Sequence, residues 1–303
     1  MKALVSQAYG PLTELAVTDL PVPDVTEGTI LVRVEAAGLN GADTKLPTGA
    51  LRALTSVRHP FVPGMDAAGI VESVGAGVTR VAPGDPVVLS NGFASGAIAE
   101  FMLVPDSPSI AVRPDGLDAR RGAALPLGAL TALTAVEEAG IAAGERVLVV
   151  GAAGGVGSFA VQLAKQSGAQ VLATGRAEDS GFLTGLGADR TIDYGTADYG
   201  SLGVDVLIDL ASAGPALEAS AAAVRPGGRI ISVLGGPESF DRGISVRYIQ
   251  TYTPEGRLRS LAEEAAAGRL TVPIGAECAF ADARQALIDF AERHIRGKVV
   301  ISL

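Results

Sequence analysis

The run Val147-Leu148-Val149-Val150-Gly151-Ala152-Ala153-Gly154-Gly155-Val156-Gly157 holds the residue types that a nucleotide phosphate requires. An apolar strand-like segment enters the glycines. A helical pattern leaves them, with Val156, Ala160, Leu163 and Ala164 on one face. Glycines let backbone N–H groups come close to a pyrophosphate, and the N-terminus of a helix favours negative charge. Against the G-x-G-x-x-G spacing, Gly154 and Gly157 supply the second and third glycines, while Ala152 stands at the first. Strand before, helix after and a further strand at Gln170–Thr174 predict a dinucleotide site rather than an ordinary tight turn.

The end of that further strand bears on which dinucleotide. It reads Ala173-Thr174-Gly175-Arg176, with no carboxylate at the tip to hold a ribose 2′-hydroxyl. The Arg176 guanidinium suits a 2′-phosphate in forked geometry, which favours NADPH. A solvated Arg176, with Glu178 or Asp179 turned back to the ribose, is the alternative that would admit NADH.

Other chemistry is sparse. One cysteine, Cys278, excludes an intrachain disulfide and a multi-cysteine zinc lobe, and the histidines are only His59 and His294. His59, beside Arg58 and Pro60, reads as a loop histidine. The charge is acidic, 33 Asp and Glu against 24 Lys and Arg for a net −9, without a dense basic block. No nucleic-acid partner is expected. No apolar run reaches the ~18 residues of a membrane span. Met1–Val5 reads as the start of a strand, not as a leader, and a reduced, soluble, cytoplasmic setting is expected.

Around the turn, strand and helix patterns alternate. Arg146–Val150, Gln170–Thr174, Val204–Ile208 and Arg229–Leu234 read as strands, and the helix after the turn ends at Gly168. Such alternation predicts an α/β fold with a parallel, doubly wound sheet covered on both faces. The first third has another texture. Thr29–Ala36, Gly69–Gly75 and Val87–Leu89 are strand-like runs between Gly and Pro turns, which predicts a mainly antiparallel β domain. Residues 118–139 favour helix, with Pro126 and Gly128 expected to break or bend the run. Helices are predicted over Glu255–Ala267 and Asp282–Glu292, and strands over Leu270–Ile274 and Lys298–Leu303. The 303 residues accommodate two domains, divided as 1–118 with 275–303, and 119–274.

Several motifs follow one another along the chain: Ala36-Ala37-Gly38-Leu39-Asn40, Pro63-Gly64-Met65-Asp66-Ala67-Ala68-Gly69, Pro83-Gly84-Asp85 and Ala123-Ala124-Leu125-Pro126-Leu127 through Thr131-Ala132. After the glycine turn come Gly187-Ala188-Asp189, Pro226-Gly227-Gly228-Arg229 and Gly297-Lys298-Val299-Val300. In these motifs the chain resembles the quinone oxidoreductase branch of the medium-chain dehydrogenase/reductase superfamily, over essentially its whole length. The resemblance implies a Rossmann-type sheet beside a GroES-like substrate domain, and a homodimer paired through an edge of the nucleotide-domain sheet. It places Asn40 and Thr131 near the nicotinamide. Gly154, Gly155 and Val156 would face the pyrophosphate, Thr174 and Arg176 the adenosine ribose, and Tyr194 the phosphate or adenine side. Lys298 either reaches the cofactor cleft or is a solvated lysine.

The zinc alcohol dehydrogenases of that superfamily carry a cysteine where Asn40 stands and a His-Glu pair where this chain has Met65-Asp66. An amide and a thioether do not replace thiolate and imidazole as zinc ligands, so zinc-independent chemistry is expected. That chemistry is hydride transfer from NADPH to a quinone or a related electron-poor carbonyl. Asn40 is the candidate hydrogen-bond donor to the acceptor oxygen, and Lys45, close to it in sequence, is the other catalytic candidate. An enoyl or enone C=C reductase on the same scaffold, and a non-catalytic NADPH-binding protein, are the rival expectations.

Overall fold

The computed structural model describes all 303 residues. In chain order the first strands are β1 (Lys2–Val5), β2 (Ala16–Asp19), β3 (Thr29–Gly38), β4 (Asp66–Val74), β5 (Pro86–Ser90), β6 (Phe101–Pro105) and β7 (Ile110–Val112). There follow β8 (Arg146–Val150), β9 (Gln170–Gly175), β10 (Arg190–Asp193), β11 (Val204–Asp209), β12 (Val224–Ser232), β13 (Ser245–Tyr248), β14 (Ile274–Ala279) and β15 (Lys298–Ser302). The helices are α1 (Gly41–Thr48), α2 (Ala119–Ala124), α3 (Pro126–Ala139), α4 (Gly157–Gln166), α5 (Ser180–Gly185), α6 (Ala216–Ala221), α7 (Arg257–Ala266) and α8 (Ala283–Glu292). Contacts divide the chain into two units, Met1–Leu127 with Thr253–Leu303, and Gly128–Tyr252.

The first unit is built on a seven-stranded sheet in the order β14-β15-β3-β4-β5-β7, with β6 also paired to β3. Every pairing is antiparallel except β14 with β15. Ile30, Val32 and Leu89 point into its core together with Leu4, Ile98 and Met102, as β-branched and apolar strand residues should. Helix α7 buries Leu258, Leu261, Ala262 and Ala265, the i, i+3, i+4, i+7 stripe of an amphipathic helix. Helix α2 packs on β3, β4 and β15, so close that a Cβ on Gly38 would strike the Ala123 carbonyl. That approach, and the packing of α7 on β7, put the division at residues 127 and 253 rather than at 118 and 275.

One local expectation is met in part, and one differs from what is observed. The 118–139 run is interrupted at Leu125, and Pro126 then opens α3, the helix position where its missing N–H costs nothing. Gly128 lies inside that helix without ending it. The strand expected over Leu270–Ile274 instead starts at Ile274, because Pro273 has no N–H to give a ladder; its carbonyl accepts the Lys298 N–H at 2.9 Å.

The second unit carries a six-stranded sheet, wholly parallel, in the order β10-β9-β8-β11-β12-β13. The strand order reverses beside β8, the switch point at which nucleotides bind in doubly wound sheets. Val147, Leu148 and Val149 are fully buried, as expected of a central strand covered on both faces. Helix α4 is buried on nearly every side, not on one face alone. The edge strand β13 has no sequence signal: Ser245-Val246-Arg247-Tyr248 is too short and polar to read as a strand.

Between β8 and α4, Gly151 takes a positive φ of 78°, which only glycine adopts freely. A Cβ on Gly157 would collide with the Gly151 carbonyl and the Ala152 Cα, so strand and helix touch backbone to backbone there. Gly154 is different, since its Cβ would meet only the Gly151 oxygen, at 3.4 Å. Gly157→Ala is therefore expected to lower stability in urea unfolding by roughly 1–3 kcal/mol through overpacking. Gly154→Ala should change it by well under ~1 kcal/mol. Equal losses would show that the close approach at Gly157 is not what holds the turn.

Candidate active site

In the first unit, Asn40 caps α1 from an extended conformation (φ −131°, ψ 158°), and its backbone N–H donates to Asp43 Oδ2 at 2.7 Å. The Asn40 side chain bridges two buried charges. Lys298 Nζ donates to Asn40 Oδ1 at 2.5 Å, and Asn40 Nδ2 donates to Asp66 Oδ2 at 2.9 Å. A cation on one side and an anion on the other leave the amide a single satisfactory orientation. The second amide hydrogen faces the Gly38 carbonyl across a long 3.4 Å. Donation from Asn40 to an acceptor oxygen thus requires that this second hydrogen leave Gly38.

Lys298 lies at 3.6 Å from Asp66 Oδ2, with 2% and 0% of the two side chains exposed. Asp66 Oδ2 also accepts the Leu127 N–H at 3.1 Å. Burial pulls both partners toward their neutral forms: it lifts the Asp66 carboxyl and lowers the Lys298 ammonium, against their mutual attraction. Asp43 is buried as well. It accepts from Gly64 N at 3.1 Å besides Asn40 N, yet burial pushes its carboxyl up to about 7, with the Asp66 charge adding to the rise. Two carboxyls and one ammonium share a water-poor site, so a proton held on Asp43 brings the cluster to neutrality.

In the second unit the Thr174 hydroxyl, 2% exposed, accepts the Gly151 N–H at 3.2 Å and staples the glycine turn to β9. The hydroxyl accepts in this bond and keeps its own proton to donate. Asp179, fully buried, accepts the Arg176 N–H at 2.8 Å and caps the short turn after β9. Asp179 is thereby fixed on the backbone. Arg176 is half exposed; its Nε donates to Tyr194 Oη at 3.0 Å, which holds the guanidinium, and Glu178 lies at 3.8 Å. Thr131, on α3, pairs with Thr251 at 2.6 Å between hydroxyl oxygens.

The structure thus gathers Asn40 with Lys298, and sets Gly154, Gly155 and Val156 after β8, Thr174 and Arg176 at the end of β9 and Tyr194 after β10, three adjacent parallel strands. Lys298 is no solvated lysine. Lys45 stands exposed on α1, apart from the buried cluster. His59 is half-buried, its Nδ1 at 3.1 Å from the Ser6 carbonyl and its ring edge-on to Tyr9. Asp43 and Asp66 are the participants that sequence reading does not place. The available signal is the Asn40-x-x-Asp43 spacing of a capping box.

Comparison with known proteins finds relatives over most of the chain. Residues 26–114 match the alcohol dehydrogenase GroES-like domain, and residues 186–301 match the zinc-binding dehydrogenase family. A quinone-oxidoreductase homolog of Spinacia oleracea is 41% identical over 67% of the chain, a region spanning 64% of that protein, just under two thirds. The 2-methylene-furan-3-one reductase of Solanum lycopersicum is 33% identical over 86% of the chain and 70% of its own length. Among solved structures, an NAD-dependent alcohol dehydrogenase superposes with a TM-score of 0.90 at 30% identity, with both chains fully covered. A mycobacterial protein complexed with NADPH gives 0.86 at 29%, also over both full chains. No helix is long and apolar enough to cross a membrane.

The buried carboxyls make a pH signature. Asp43 has its folded value raised from 3.8 to about 7, so across that interval the folded chain holds a proton that the unfolded chain has released. Stability from this group is therefore fully present below about pH 4 and is lost as pH rises through 7, by at most about 4 kcal/mol. The lowered carboxyls, among them Glu145 and Asp189, act in the opposite sense below their ordinary acidic range. Lys298, lowered by burial, does so below the ordinary lysine range, so the Asp43 contribution is read as the difference from Asp43→Asn. Urea midpoints should fall from pH 5 to pH 8, and Asp43→Asn should flatten that fall. A wild-type pH dependence that matches that of Asp43→Asn would contradict the assignment.

Proposed function

We propose that this chain, which belongs to the quinone oxidoreductase branch of the medium-chain dehydrogenase/reductase superfamily, is an NADPH-dependent, zinc-independent reductase of quinones and conjugated carbonyls. The observation that carries the reading is the β9 tip. There Arg176 is exposed and held by Tyr194, while the nearest buried carboxylate, Asp179, is consumed by backbone capping.

The second unit fits a dinucleotide. The position of a Gly154 Cβ is open apart from one oxygen, so a phosphate can approach the backbone. At the start of α4 the Ser158, Phe159 and Ala160 N–H groups bond to the Gly154 and Val156 carbonyls, which leaves the N–H groups of Gly155, Val156 and Gly157 to meet it. Gly154, Gly155 and Val156 would hold the pyrophosphate, Arg176 and Tyr194 the 2′-phosphate, and Thr131 and Asn40 the nicotinamide end. When bound, the cofactor supplies the hydride, two electrons to one electron-poor carbon of the acceptor.

The residues of the first unit do not fit zinc. The donors are the Asn40 amide and the Asp66 carboxylate, and the Lys298 ammonium already stands against both. A cation competing for these oxygens would have to displace a buried positive charge. The protein itself then supplies only orientation and a proton: the acceptor oxygen takes one proton per hydride, and the exposed Lys45 ammonium or solvent provides it. Lys298 keeps the Asn40 amide in one orientation.

The acceptor is a quinone or an enone, both of which spread the negative charge left by hydride addition. The likeness to the spinach and tomato proteins supports each in turn. A cytoplasmic location and a homodimer through an edge of the nucleotide-domain sheet complete the reading.

Fluorescence titration should give NADPH a Kd at least about tenfold below that of NADH, and Arg176→Ala should bring the two within about threefold. Equal affinities in the wild type would sink the cofactor assignment. NADPH oxidation should proceed with quinones and enones at a rate unchanged by dialysis against EDTA and 1,10-phenanthroline. Loss of rate on chelation, restored by zinc, would overturn the zinc-free reading.

A further inference from the structure

The chain carries a net charge of −9, yet its acids are unevenly spread. The two longest stretches without Asp or Glu are residues 146–177 and 44–65. The first holds the glycine turn and Arg176, where an anionic cofactor belongs. The second begins in α1, directly after the capping turn at Asn40, and carries Lys45, Arg52 and Arg58, all exposed.

These cations are also uncompensated. Many surface arginines pair with carboxylates, as Arg80 does with Asp106 and Glu255, or Arg229 with Glu145, while Arg242 and Arg284 bond to backbone carbonyls. None of Lys45, Arg52 and Arg58 has an acidic partner. Lys45, in the last turn of α1, has the ordinary task of facing the negative end of the helix. Arg52 and Arg58 have no such task.

The segment is organised around Tyr9. The Arg52 guanidinium lies 4.4 Å above the Tyr9 ring. Tyr9 Oη accepts the Val57 N–H at 3.0 Å, and the ring meets His59 edge-on at 4.7 Å between centroids. Arg58 therefore sits between two residues that both touch the ring supporting Arg52. At the other end, the Lys45 carbonyl accepts the Ala50 N–H at 3.0 Å and so ties α1 to the start of this segment. Stacking leaves the edge of the Arg52 guanidinium free for a forked pair with an oxyanion, and a side chain already held on a ring loses little entropy on binding.

We propose that the segment from Lys45 to Arg58 recognises an anionic group, a carboxylate or sulfonate, carried by the acceptor. The natural substrate class then narrows to anionic enones and quinones. This rests on the reductase reading above, and the anion is recognised by the protein before any hydride moves.

The test uses matched probes on the full-length protein: trans-4-oxo-2-pentenoate against 3-penten-2-one, and 1,2-naphthoquinone-4-sulfonate against 1,2-naphthoquinone. The anionic member of each pair should show kcat/KM about fivefold or more above the neutral one at low salt. The advantage should shrink toward parity as ionic strength rises. In the Arg52→Gln/Arg58→Gln double variant it should vanish, while the neutral acceptor and the NADPH Kd hold at wild-type values and report an intact fold. No preference in the wild type overturns the proposal. So does a variant that loses NADPH affinity but keeps its preference, since the segment would then serve the cofactor. Should neither acceptor of a pair be reduced, the reductase reading fails separately. Saturation-transfer NMR of the unreactive 4-oxopentanoate against 2-pentanone still decides the anion site: binding of the anion alone, lost in the double variant, supports it, and equal binding overturns it.

Discussion

The contact between Lys298 and the Asn40–Asp66 pair is the constraint on which the first unit depends. An ammonium and a carboxylate removed from water each cost several kcal/mol, and their attraction offsets this only when further hydrogen bonds satisfy the remaining groups. Here the Asn40 amide and the Leu127 N–H do so. The partners come from β4, from the cap of α1 and from the last strand. The Asp66 charge is not balanced until the C-terminal segment has returned to lie against β3 and brought Lys298. A unit whose chain is interrupted by another hundred or so residues needs a reason for its ends to meet in one register. An uncompensated buried charge is a strong one, because leaving it unpaired costs more than the pair itself contributes.

The second unit uses its polar groups on the same logic. The Thr174 hydroxyl and the Asp179 carboxylate are spent on backbone N–H groups, one fixing the glycine turn and the other the turn after β9. What those bonds leave over at the strand end is the pair of Arg176 and Tyr194. Cofactor preference on the proposed reading is then partly a by-product of capping. An Asp that could have taken a ribose hydroxyl is needed inside, and Arg176, held by Tyr194, presents a positive charge at the strand tip.

Much of this was legible in the residues. The β8–turn–α4 segment could be read because glycine spacing, strand and helix signals all point one way there, and local consistency of that kind is what makes a sequence readable. The parallel sheet followed from alternation. The buried cluster was less visible, since its members are scattered between residue 40 and residue 298 and only topology joins them. Lys298 carries no local mark that separates a buried lysine from a solvated one. Asp43 is legible as a helix cap but not as a buried, proton-holding group, because that depends on what packs over it. β13 escaped for a plainer reason. An edge strand needs only one partner, and Arg229–Ser232 supply its register whatever its own propensity.

A net charge of −9 would seem to disfavour anionic ligands altogether. The distance over which charge acts says otherwise. At physiological ionic strength the screening length is about 8 Å, so a ligand feels the charges around its own site and little of the remaining surface. Residues 146–177 and 44–65 hold no acids, so the charges these segments themselves bring to a ligand are positive. On the proposed reading one receives the cofactor and the other the tail of the acceptor. Acidity elsewhere then serves solubility, and it sharpens selectivity by making every other part of the surface a poor place for an anion to rest.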